Sequence, residues 1–174
     1  MGKAVFLDRD GVINIEKEYL YKIEEFEFID GVFESVIYLQ KLGYKLFIIT
    51  NQSGIARGYY SLDEFNKLSS WMMDEFSKKG VKIEKLYFCP HGPNDNCSCR
   101  KPKTGMIDDA LKEFDIDLAQ SILIGDKISD IKCAKNAKIG LSVIVKSGHS
   151  FDEKEVNADF IIDSIKDIPN IIKE

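Results

Sequence analysis

Two acidic residues follow an uninterrupted apolar run at the beginning of the chain. Residues Ala4 to Leu7 have the composition of a strand that is buried on both faces of a parallel sheet. Side chains two residues apart in an extended chain point the same way, so Asp8 and Asp10 should project together, and Gly11 lets the backbone turn sharply. Adjacent carboxylates repel each other unless a divalent cation lies between them or one stays protonated. The stretch therefore predicts a buried first strand ending in a pair of acids that suits phosphoryl transfer.

The same pair of acids also fits two simpler interpretations. Asp8 and Asp10 could be solvated turn residues, and Asp-x-Asp-Gly is also part of calcium-binding loops. An EF-hand is excluded, because no further calcium ligands and no bidentate glutamate follow Gly11 at the required spacing. The solvated turn stays open at this point, and the downstream sequence decides between it and a catalytic pair.

Strand-like and helix-like segments alternate along the rest of the chain. After an irregular flap, a helix is predicted over residues 31–42 and ends at Gly43, and a second begins at a Ser61–Glu64 capping box and ends at Gly80. Further strands are predicted over residues 45–50, 84–88, 121–125, 141–145 and 160–162, and further helices from Thr104, over 128–138 and near 165–172. The alternation predicts an α/β fold with a right-handed, doubly wound parallel sheet that binds ligands at the carboxyl ends of its strands.

Length and charge limit the possible partners. The 174 residues contain no linker-like stretch, so a single domain over residues 1–174 is expected, and the intervals 10–31 and 58–89 are too short for a large cap domain. A formal charge of −5 argues against a nucleic-acid or acidic-membrane partner. No apolar run has the length of a membrane span and no signal peptide precedes the first strand, which predicts a cytoplasmic protein, expected to be a monomer.

Four groups of polar residues lie where predicted strands end. They are Asp8 to Gly11, Thr50 with Asn51, Arg100 to Pro102, and Gly125 to Lys127 with Asp130. Together they resemble the haloacid dehalogenase superfamily of phosphotransferases over nearly the whole chain. The segments Thr50 to Gly58, Tyr87 to His91 and Cys97 to Pro102 are similar to the D-glycero-D-manno-heptose 1,7-bisphosphate phosphatases of that superfamily. Histidinol-phosphate phosphatases share the cysteine-rich loop, so the loop does not separate these two groups.

The resemblance implies a phosphatase that removes the C7 phosphate of a heptose bisphosphate, in nucleotide-activated heptose biosynthesis for lipopolysaccharide or surface polysaccharide. Asp8 would attack phosphorus and form an aspartyl-phosphate, while Asp10 would protonate the leaving oxygen and later deprotonate water. Thr50 and the Asn51 amide would donate to the phosphoryl oxygens, and Lys101 would offset their charge. Such groups meet the need of a very slow reaction for charge neutralisation and a well-placed nucleophile.

A magnesium site is implied at the same strand ends. Mg²⁺ would be bound by Asp8, by Asp126 and by the carbonyl oxygen of Asp10, in keeping with the preference of this hard cation for oxygen ligands. Asp130 could support that site, or it could be a helix N-terminal acid that the helix dipole favours.

Contacts with the rest of a small sugar-phosphate substrate are also implied. The candidate residues are Glu16, Tyr19, Gln52, Ser53, Arg57, Arg100 and Lys127. Arg57 or Arg100 could bind a second phosphate, with Arg100 favoured, whereas the alternative for each cation is a solvated position. Family members commonly have an Asp-x-Gly-Tyr-like run where this chain has Glu16 to Tyr19. The candidate contacts Glu16 and Tyr19 therefore lie in a segment that departs from the family pattern.

A second metal site is predicted in the loop that follows the third strand. Its four ligands would be Cys89, His91, Cys97 and Cys99, a Cys₃His set typical of structural Zn²⁺. The alternatives are reduced surface cysteines or a disulfide, which a cytosolic setting disfavours. The span between His91 and Cys97 is shorter than in many family loops. Cys133 is expected to be a packing residue, and His149 is expected to be solvated and without a partner.

Two other function classes compete with a phosphatase. A phospho-accepting signalling domain also forms an aspartyl-phosphate on a doubly wound fold, but it carries the acceptor on a middle strand, whereas Asp8 follows the first strand. The other is a catalytically idle, zinc-bearing interaction module. Phosphate release from sugar phosphates separates the three classes.

Overall fold

A single parallel sheet organises the chain, and the computed structural model describes all residues from 1 to 174. The six strands are β1 (Ala4–Leu7), β2 (Lys45–Asn51), β3 (Ile83–Cys89), β4 (Ile122–Gly125), β5 (Leu141–Val145) and β6 (Phe160–Ile162). Their order across the sheet is β3-β2-β1-β4-β5-β6, and every neighbouring pair is parallel. The predicted α/β class and parallel sheet are therefore confirmed.

Helices cover both faces of the sheet. They are α1 (Val32–Lys41), α2 (Leu62–Lys78), α3 (Gly105–Glu113), α4 (Ile128–Asn136) and α5 (Ile168–Ile171), with short 3-10 helices at Ile23–Glu25, Leu118–Gln120 and Ile165–Asp167. One core cluster joins the sheet to α1, α2 and α5, and a second joins it to α3 and α4. Alternate residues of β1 supply the two clusters: Val5 and Leu7 face the first, and Ala4 and Phe6 face the second. The uninterrupted apolar run of β1 follows from this two-sided burial.

Local signals in the sequence account for several helix ends. Ser61 accepts a hydrogen bond from the backbone of Glu64 and the Glu64 side chain accepts one in return, so the predicted capping box is confirmed. Gly43 has φ 90° directly after α1, a left-handed conformation that favours glycine. Thr104 precedes α3 but does not cap it, because its hydroxyl donates to Asp108 instead.

The two intervals that were judged too short for a cap domain contain none. Residues 10–31 form a flap with one 3-10 helix. An isolated antiparallel β-bridge between Asn14 and Phe28 joins the two sides of this flap. Residues 58–89 are occupied by α2 and β3. The carboxyl ends of the strands are thus covered by the flap and by the loops after the strands, with no separate cap domain. None of the helices combines the length and the apolar character that a membrane crossing requires.

Candidate active site

The strand order reverses direction between β1 and β4, and this is where doubly wound sheets bind ligands. Asp8 and Asp126 directly follow these two strands. One pocket opens at this edge and is lined by twelve of the predicted site residues, namely Asp8, Asp10, Glu16, Tyr19, Asn51, Gln52, Ser53, Arg57, Arg100, Lys101, Asp126 and Lys127. Thr50 is fully buried beside this pocket, where its hydroxyl oxygen accepts a hydrogen bond from Gln52.

A buried lysine joins two of the carboxylates at this edge. The Nζ atom of Lys101 lies 3.0 Å from Oδ1 of Asp8 and 2.7 Å from Oδ1 of Asp130, and it also donates to the Ile49 carbonyl at 2.9 Å. Asp8 accepts a further hydrogen bond from the backbone N–H of Arg9 at 2.9 Å. These contacts fix the Asp8 carboxylate at the end of β1.

Asp126 is the most enclosed of the carboxylates. Its Oδ2 atom accepts hydrogen bonds from the backbone N–H of His149 at 2.9 Å and lies 2.6 Å from Nδ1 of that ring. A Cβ atom on Gly11 or Gly148 would lie only 2.5 or 2.3 Å from Oδ2, so both positions need glycine for the backbone to approach this closely. The other oxygen, Oδ1, is buried and has no hydrogen-bond partner. An unsatisfied carboxylate oxygen in this position is an available ligand for a cation.

The charges at this edge are unbalanced. Asp8, Asp126 and Asp130 are buried, with one oxygen of each within 4.8 Å of the others, whereas the buried cation Lys101 pairs with Asp8 and Asp130. Burial raises the pKa of Asp8 well above its usual value, with the other two carboxylates adding to the effect and Lys101 opposing it. Burial and the Asp130 carboxylate also raise the pKa of Asp126. A divalent cation among these oxygens would remove the excess negative charge.

Asp10 is in a different environment, although it is only two residues from Asp8. Its Oδ1 accepts hydrogen bonds from Arg9 Nη2 at 2.9 Å and Asn14 Nδ2 at 3.0 Å, and its Oδ2 accepts one from Gln52 Nε2 at 3.2 Å. Burial alone would raise the pKa of Asp10, but the Arg9 guanidinium and these hydrogen bonds outweigh burial and lower it. Arg9 is itself buried and also donates to the Leu20 carbonyl of the flap at 2.9 Å. The two acids of the first loop therefore have pKa values shifted in opposite directions.

Two residues at the end of β2 extend the site. Thr50 Oγ1 accepts from Gln52 Nε2 at 2.8 Å, which leaves the hydrogen of the Thr50 hydroxyl free to donate elsewhere. The Asn51 amide is expected among the phosphoryl contacts, and the side chain of Asn51 bonds to the backbone of Lys101 through both its oxygen and its nitrogen, at 3.0 and 3.3 Å. This side chain positions Lys101, because it ties the Lys101 backbone to the end of β2.

The predicted cations lie toward the mouth of the pocket. Arg57 is exposed and its Nε donates to Ser53 Oγ at 3.4 Å, and Lys127 is exposed at the start of α4. Arg100 is half-buried and donates to the carbonyl oxygen of His91 at 3.4 Å, in the cysteine-rich loop. Three positive charges therefore line the pocket in addition to Lys101.

The flap contributes two further residues to the mouth. Glu16 accepts a hydrogen bond from the backbone N–H of Glu18 at 2.6 Å, and Tyr19 packs edge-on against Tyr59 with ring centroids 4.7 Å apart. Glu18 and Tyr19 have φ values of 49° and 56°, in the left-handed region. Glu18 occupies the position of glycine in the Asp-x-Gly-Tyr-like run, so this chain keeps a glycine-type backbone conformation without a glycine.

The cysteine-rich loop gathers its four predicted ligands. The ligand atoms of Cys89, His91, Cys97 and Cys99 all lie within 4.8 Å of one another, and none of the cysteines forms a disulfide. The loop rests on the beginning of α3, where the Gly105 N–H donates to the Ser98 carbonyl at 3.0 Å. A Cβ atom at Gly105 would lie 2.4 Å from that oxygen. The loop therefore brings together four metal-ligand atoms and packs closely against the beginning of α3.

Two outcomes differ from or refine the expectations. His149 was expected to be solvated without a partner, which is wrong: the loop after β5 returns to β4 and places the ring against Asp126, 23 residues away. Asp130 is a helix N-terminal acid, which was one of its two alternatives, because Oδ2 accepts from the N–H groups of Asp126 and Lys127 at 3.1 Å each, while Oδ1 pairs with Lys101. Cys133 is buried in the core, as expected.

Comparisons with known proteins agree with this arrangement. A family model described as HAD-hydrolase-like matches residues 98–168. The D-glycero-beta-D-manno-heptose-1,7-bisphosphate 7-phosphatase of Haemophilus influenzae is 46% identical over 99% of this chain and 98% of its own. The D-glycero-alpha-D-manno-heptose-1,7-bisphosphate 7-phosphatase of Campylobacter jejuni is 51% identical over 99% of this chain and 96% of its own.

A solved structure is also similar to this chain. The D,D-heptose 1,7-bisphosphate phosphatase of B. bronchiseptica, crystallised with magnesium and phosphate, is 28% identical and has a TM-score of 0.81 over 94% of each chain. The full-length identity to the curated relatives and this structural match agree with the strand-end motifs described above. The chain belongs to the D-glycero-D-manno-heptose-1,7-bisphosphate 7-phosphatase family of HAD-like hydrolases.

Proposed function

We propose that this protein is a magnesium-dependent phosphatase that removes the C7 phosphate of D-glycero-D-manno-heptose 1,7-bisphosphate. The observation that carries the proposal is the buried group of Asp8, Asp126, Asp130 and Lys101, in a pocket that three further cations line. The relatives include enzymes named for either anomer of this sugar, so the proposal covers the bisphosphate irrespective of anomer. The product would serve the biosynthesis of nucleotide-activated heptose for lipopolysaccharide or surface polysaccharide.

The residues at the switch point fit a magnesium ion. Asp8 and Asp126 would hold it, together with the Asp10 carbonyl oxygen, and the unpartnered Oδ1 of Asp126 supports this assignment. Lys101 pairs with Asp130 and with Oδ1 of Asp8, which leaves Oδ2 of Asp8 and Oδ1 of Asp126 for the metal. When bound, the ion would neutralise charge on the phosphoryl oxygens and on these carboxylates.

The first half-reaction requires an ionised Asp8 and a protonated Asp10. A carboxylate oxygen of Asp8 attacks phosphorus, and the bond from phosphorus to the sugar oxygen breaks with its electron pair on that oxygen. Asp10 gives its proton to the same oxygen, and the sugar leaves as an alcohol. The pKa shifts of the protein alone favour the opposite forms, because burial raises the pKa of Asp8, whereas the Arg9 guanidinium outweighs burial and lowers the pKa of Asp10. Mg²⁺ beside Asp8 would favour its carboxylate, and an anionic phosphate beside Asp10 would favour its protonated form. Thr50 and Lys101 stabilise charge on the phosphoryl oxygens.

The second half-reaction restores the enzyme. A water molecule attacks the phosphorus of the aspartyl-phosphate while Asp10, now a carboxylate, takes a proton from it. The bond from phosphorus to Asp8 breaks, phosphate is released and both acids return to their starting forms. Three hydrogen bonds to Asp10 stabilise the carboxylate that this step needs. All of these groups belong to one chain, and we propose that residues 1–174 act as one domain.

The preference for a bisphosphate rests on surplus positive charge. Mg²⁺ and Lys101 would suffice to neutralise one phosphoryl group. Three further cations, Arg57, Arg100 and Lys127, line the same pocket. A remote phosphate bound by these residues would supply binding energy that positions the reacting phosphate. Histidinol phosphate instead carries a cationic amine, which the arginines would repel.

We also propose that the Cys₃His cluster binds one structural Zn²⁺. Four ligand atoms already converge, which is the composition and number of a closed tetrahedral site. Arg100 donates to the carbonyl oxygen of His91, so a fixed loop would also fix the position of this arginine. Zinc would thereby act on substrate binding through shape and take no part in the chemistry.

The position of the released phosphate tests the proposed function. Heptose 1,7-bisphosphate should be converted to a product whose remaining phosphorus signal, in ³¹P NMR, couples to the anomeric proton. A product that retains only the C7 phosphate, or no phosphate release with Mg²⁺ present, would refute the proposal.

A further inference from the structure

A buried tyrosine lies behind Asp10 and is connected to it through one side chain. Tyr60 is 4% exposed, and its hydroxyl donates a hydrogen bond to Oε1 of Gln52. The amide nitrogen of Gln52 then donates to Asp10 Oδ2 at 3.2 Å and to Thr50 Oγ1 at 2.8 Å. The acceptor and both donors of the Gln52 amide are therefore engaged.

Packing fixes the position of the Tyr60 ring. The ring stacks on Tyr21 of the flap, with centroids 5.4 Å apart and an angle of 17° between the planes. On another side it lies so close to the backbone that a Cβ atom on Gly54 would be 2.2 Å from its Cε1. Burial raises the pKa of Tyr60 to about 12, so the hydroxyl keeps its proton at neutral pH. The result is a hydrogen-bond donor held at a fixed point.

This donor determines which way the Gln52 amide faces. With the hydroxyl of Tyr60 donating to Oε1, the Gln52 nitrogen must face the Asp10 carboxylate, which is an acceptor. The reverse orientation would place two acceptors, Oε1 and Asp10 Oδ2, about as close as the observed 3.2 Å. Without the hydroxyl, Oε1 loses its donor and can turn toward the Thr50 hydroxyl, so that the hydrogen bond to Asp10 is lost.

We propose that Tyr60 is a positioning residue for leaving-group protonation, which acts by orienting the Gln52 amide so that it holds the Asp10 carboxyl toward the leaving oxygen. The inference rests on the proposed phosphatase function and extends it to a residue that does not touch the reacting atoms. The step it serves is the transfer of the Asp10 proton to the sugar oxygen that takes the electron pair of the broken bond to phosphorus.

Substrates that differ in their leaving group separate positioning from general structural support. A sugar alkoxide is a poor leaving group that needs a proton, whereas 4-nitrophenolate is a stable anion and leaves without one. The value of kcat/KM reports the steps up to departure of the leaving group. A role through Asp10 therefore changes the ratio of kcat/KM for the heptose bisphosphate to kcat/KM for 4-nitrophenyl phosphate, while damage common to both substrates cancels.

The decisive variant is Tyr60→Phe, which keeps the ring and removes the hydroxyl. We expect the ratio to fall about tenfold, a part of the ~10²–10⁴-fold that general acid catalysis supplies. Tyr87→Phe is the matched control, because Tyr87 is also buried and its hydroxyl also donates to a side chain, Glu113 at 3.0 Å, away from the pocket. The ratio should not change in this control.

Gln52→Met provides an independent test, which also applies if Tyr60→Phe does not fold. It should lower the same ratio, and adding Tyr60→Phe to it should produce no further fall, because both residues act through one amide. A ratio within twofold of wild type for Tyr60→Phe, an equal fall in Tyr87→Phe, or additive effects in the double variant would overturn the proposal. Failure of the wild-type enzyme to hydrolyse the bisphosphate would instead refute the proposed function, and the ratio would then be measured with whichever sugar phosphate is hydrolysed fastest.

Discussion

The ammonium nitrogen of Lys101 lies 3.0 Å from Oδ1 of Asp8, although 93 residues separate them in the chain. The same nitrogen contacts Asp130, so one buried cation pairs with two buried acids. Burial alone would lower the pKa of Lys101, but the two carboxylates outweigh it and raise the pKa, which keeps the amine charged. Asp8, the proposed nucleophile, is therefore held beside a permanent positive charge, and the third acid, Asp126, is left for the proposed metal ion.

Replacement of Asp8, the proposed nucleophile, should abolish turnover and leave the fold intact. In Asp8→Asn the carboxamide can neither attack phosphorus nor replace a carboxylate as a Mg²⁺ ligand, so we expect kcat to fall by about three orders of magnitude or more. Asp10→Asn should retain more substrate binding while also losing turnover. Asp109→Asn, on the exposed surface of α3, is the matched control and should have wild-type kcat. An Asp8→Asn enzyme with near wild-type turnover and an unchanged circular dichroism spectrum would rule out the mechanism.

The stabilising effect of Mg²⁺ should depend on pH. The native pKa values of Asp8 and Asp126 lie above the usual value of 3.8, so near and above that pH the native state binds more protons than the unfolded state. The stability these acids contribute is therefore present at low pH and lost as pH rises through their native pKa values. Mg²⁺ competes with these protons, so its stabilising effect should increase over the same range.

Differential scanning fluorimetry measures this effect. Protein dialysed free of Mg²⁺, with its zinc retained, should gain more in Tm from a fixed Mg²⁺ concentration at pH 7.5 than at pH 5. Asp126→Asn should abolish most of the gain at both pH values. A gain that is equal at both pH values, or larger at pH 5, would contradict a site built from these two acids.

The cysteine-rich loop should contain one tightly bound zinc per chain. Structural zinc in small peptides is worth about 10–16 kcal/mol of apparent binding free energy, and a fraction of this would order a loop that has little apolar content. Elemental analysis should give one zinc per wild-type chain and less in Cys97→Ser. Cys133→Ser should retain the metal, because Cys133 lies in the core outside the cluster. Protein free of zinc after metal-replete expression would refute this assignment.

The sequence predicted those parts of the site that are set by short-range patterns. Asp8, Thr50 and Asp126 each directly follow or end an apolar strand, and parallel strands bring such positions to one edge of the sheet. The capping box at Ser61 and Glu64 could likewise be predicted from the sequence, because its two residues are close together in the chain.

The missed features depend on long-range contacts. Nothing near His149 in the sequence indicates that its loop returns to Asp126, and nothing near Asn51 indicates that its side chain binds the backbone of Lys101. The raised pKa of Asp8 also depends on the burial and the Asp126 and Asp130 carboxylates that the fold supplies, whereas the pKa of Asp10 is lowered mainly by Arg9 and Asn14 of its own loop. Residue types and spacing cannot predict the contacts of His149 and Asn51, because each of them joins separate strand-end loops.

Arg100 should bind the second phosphate of the substrate. Arg100→Ala should lower kcat/KM for the bisphosphate by about tenfold and change the value for heptose 7-phosphate by less than about twofold, since the remote phosphate supplies positioning energy. Lys132→Ala removes a positive charge from the exposed side of α4 and is the charge-matched control. Equal losses on both substrates would show that Arg100 does not bind the remote phosphate.

The most direct test of the account compares two substrates side by side. We predict a kcat/KM for D-glycero-D-manno-heptose 1,7-bisphosphate at least about tenfold above that for histidinol phosphate, or ~1.4 kcal/mol in transition-state stabilisation. Both assays should use the same enzyme preparation, Mg²⁺ concentration and pH. A histidinol phosphate kcat/KM equal to or above that of the bisphosphate would contradict the assignment, even if the aspartyl-phosphate chemistry were retained.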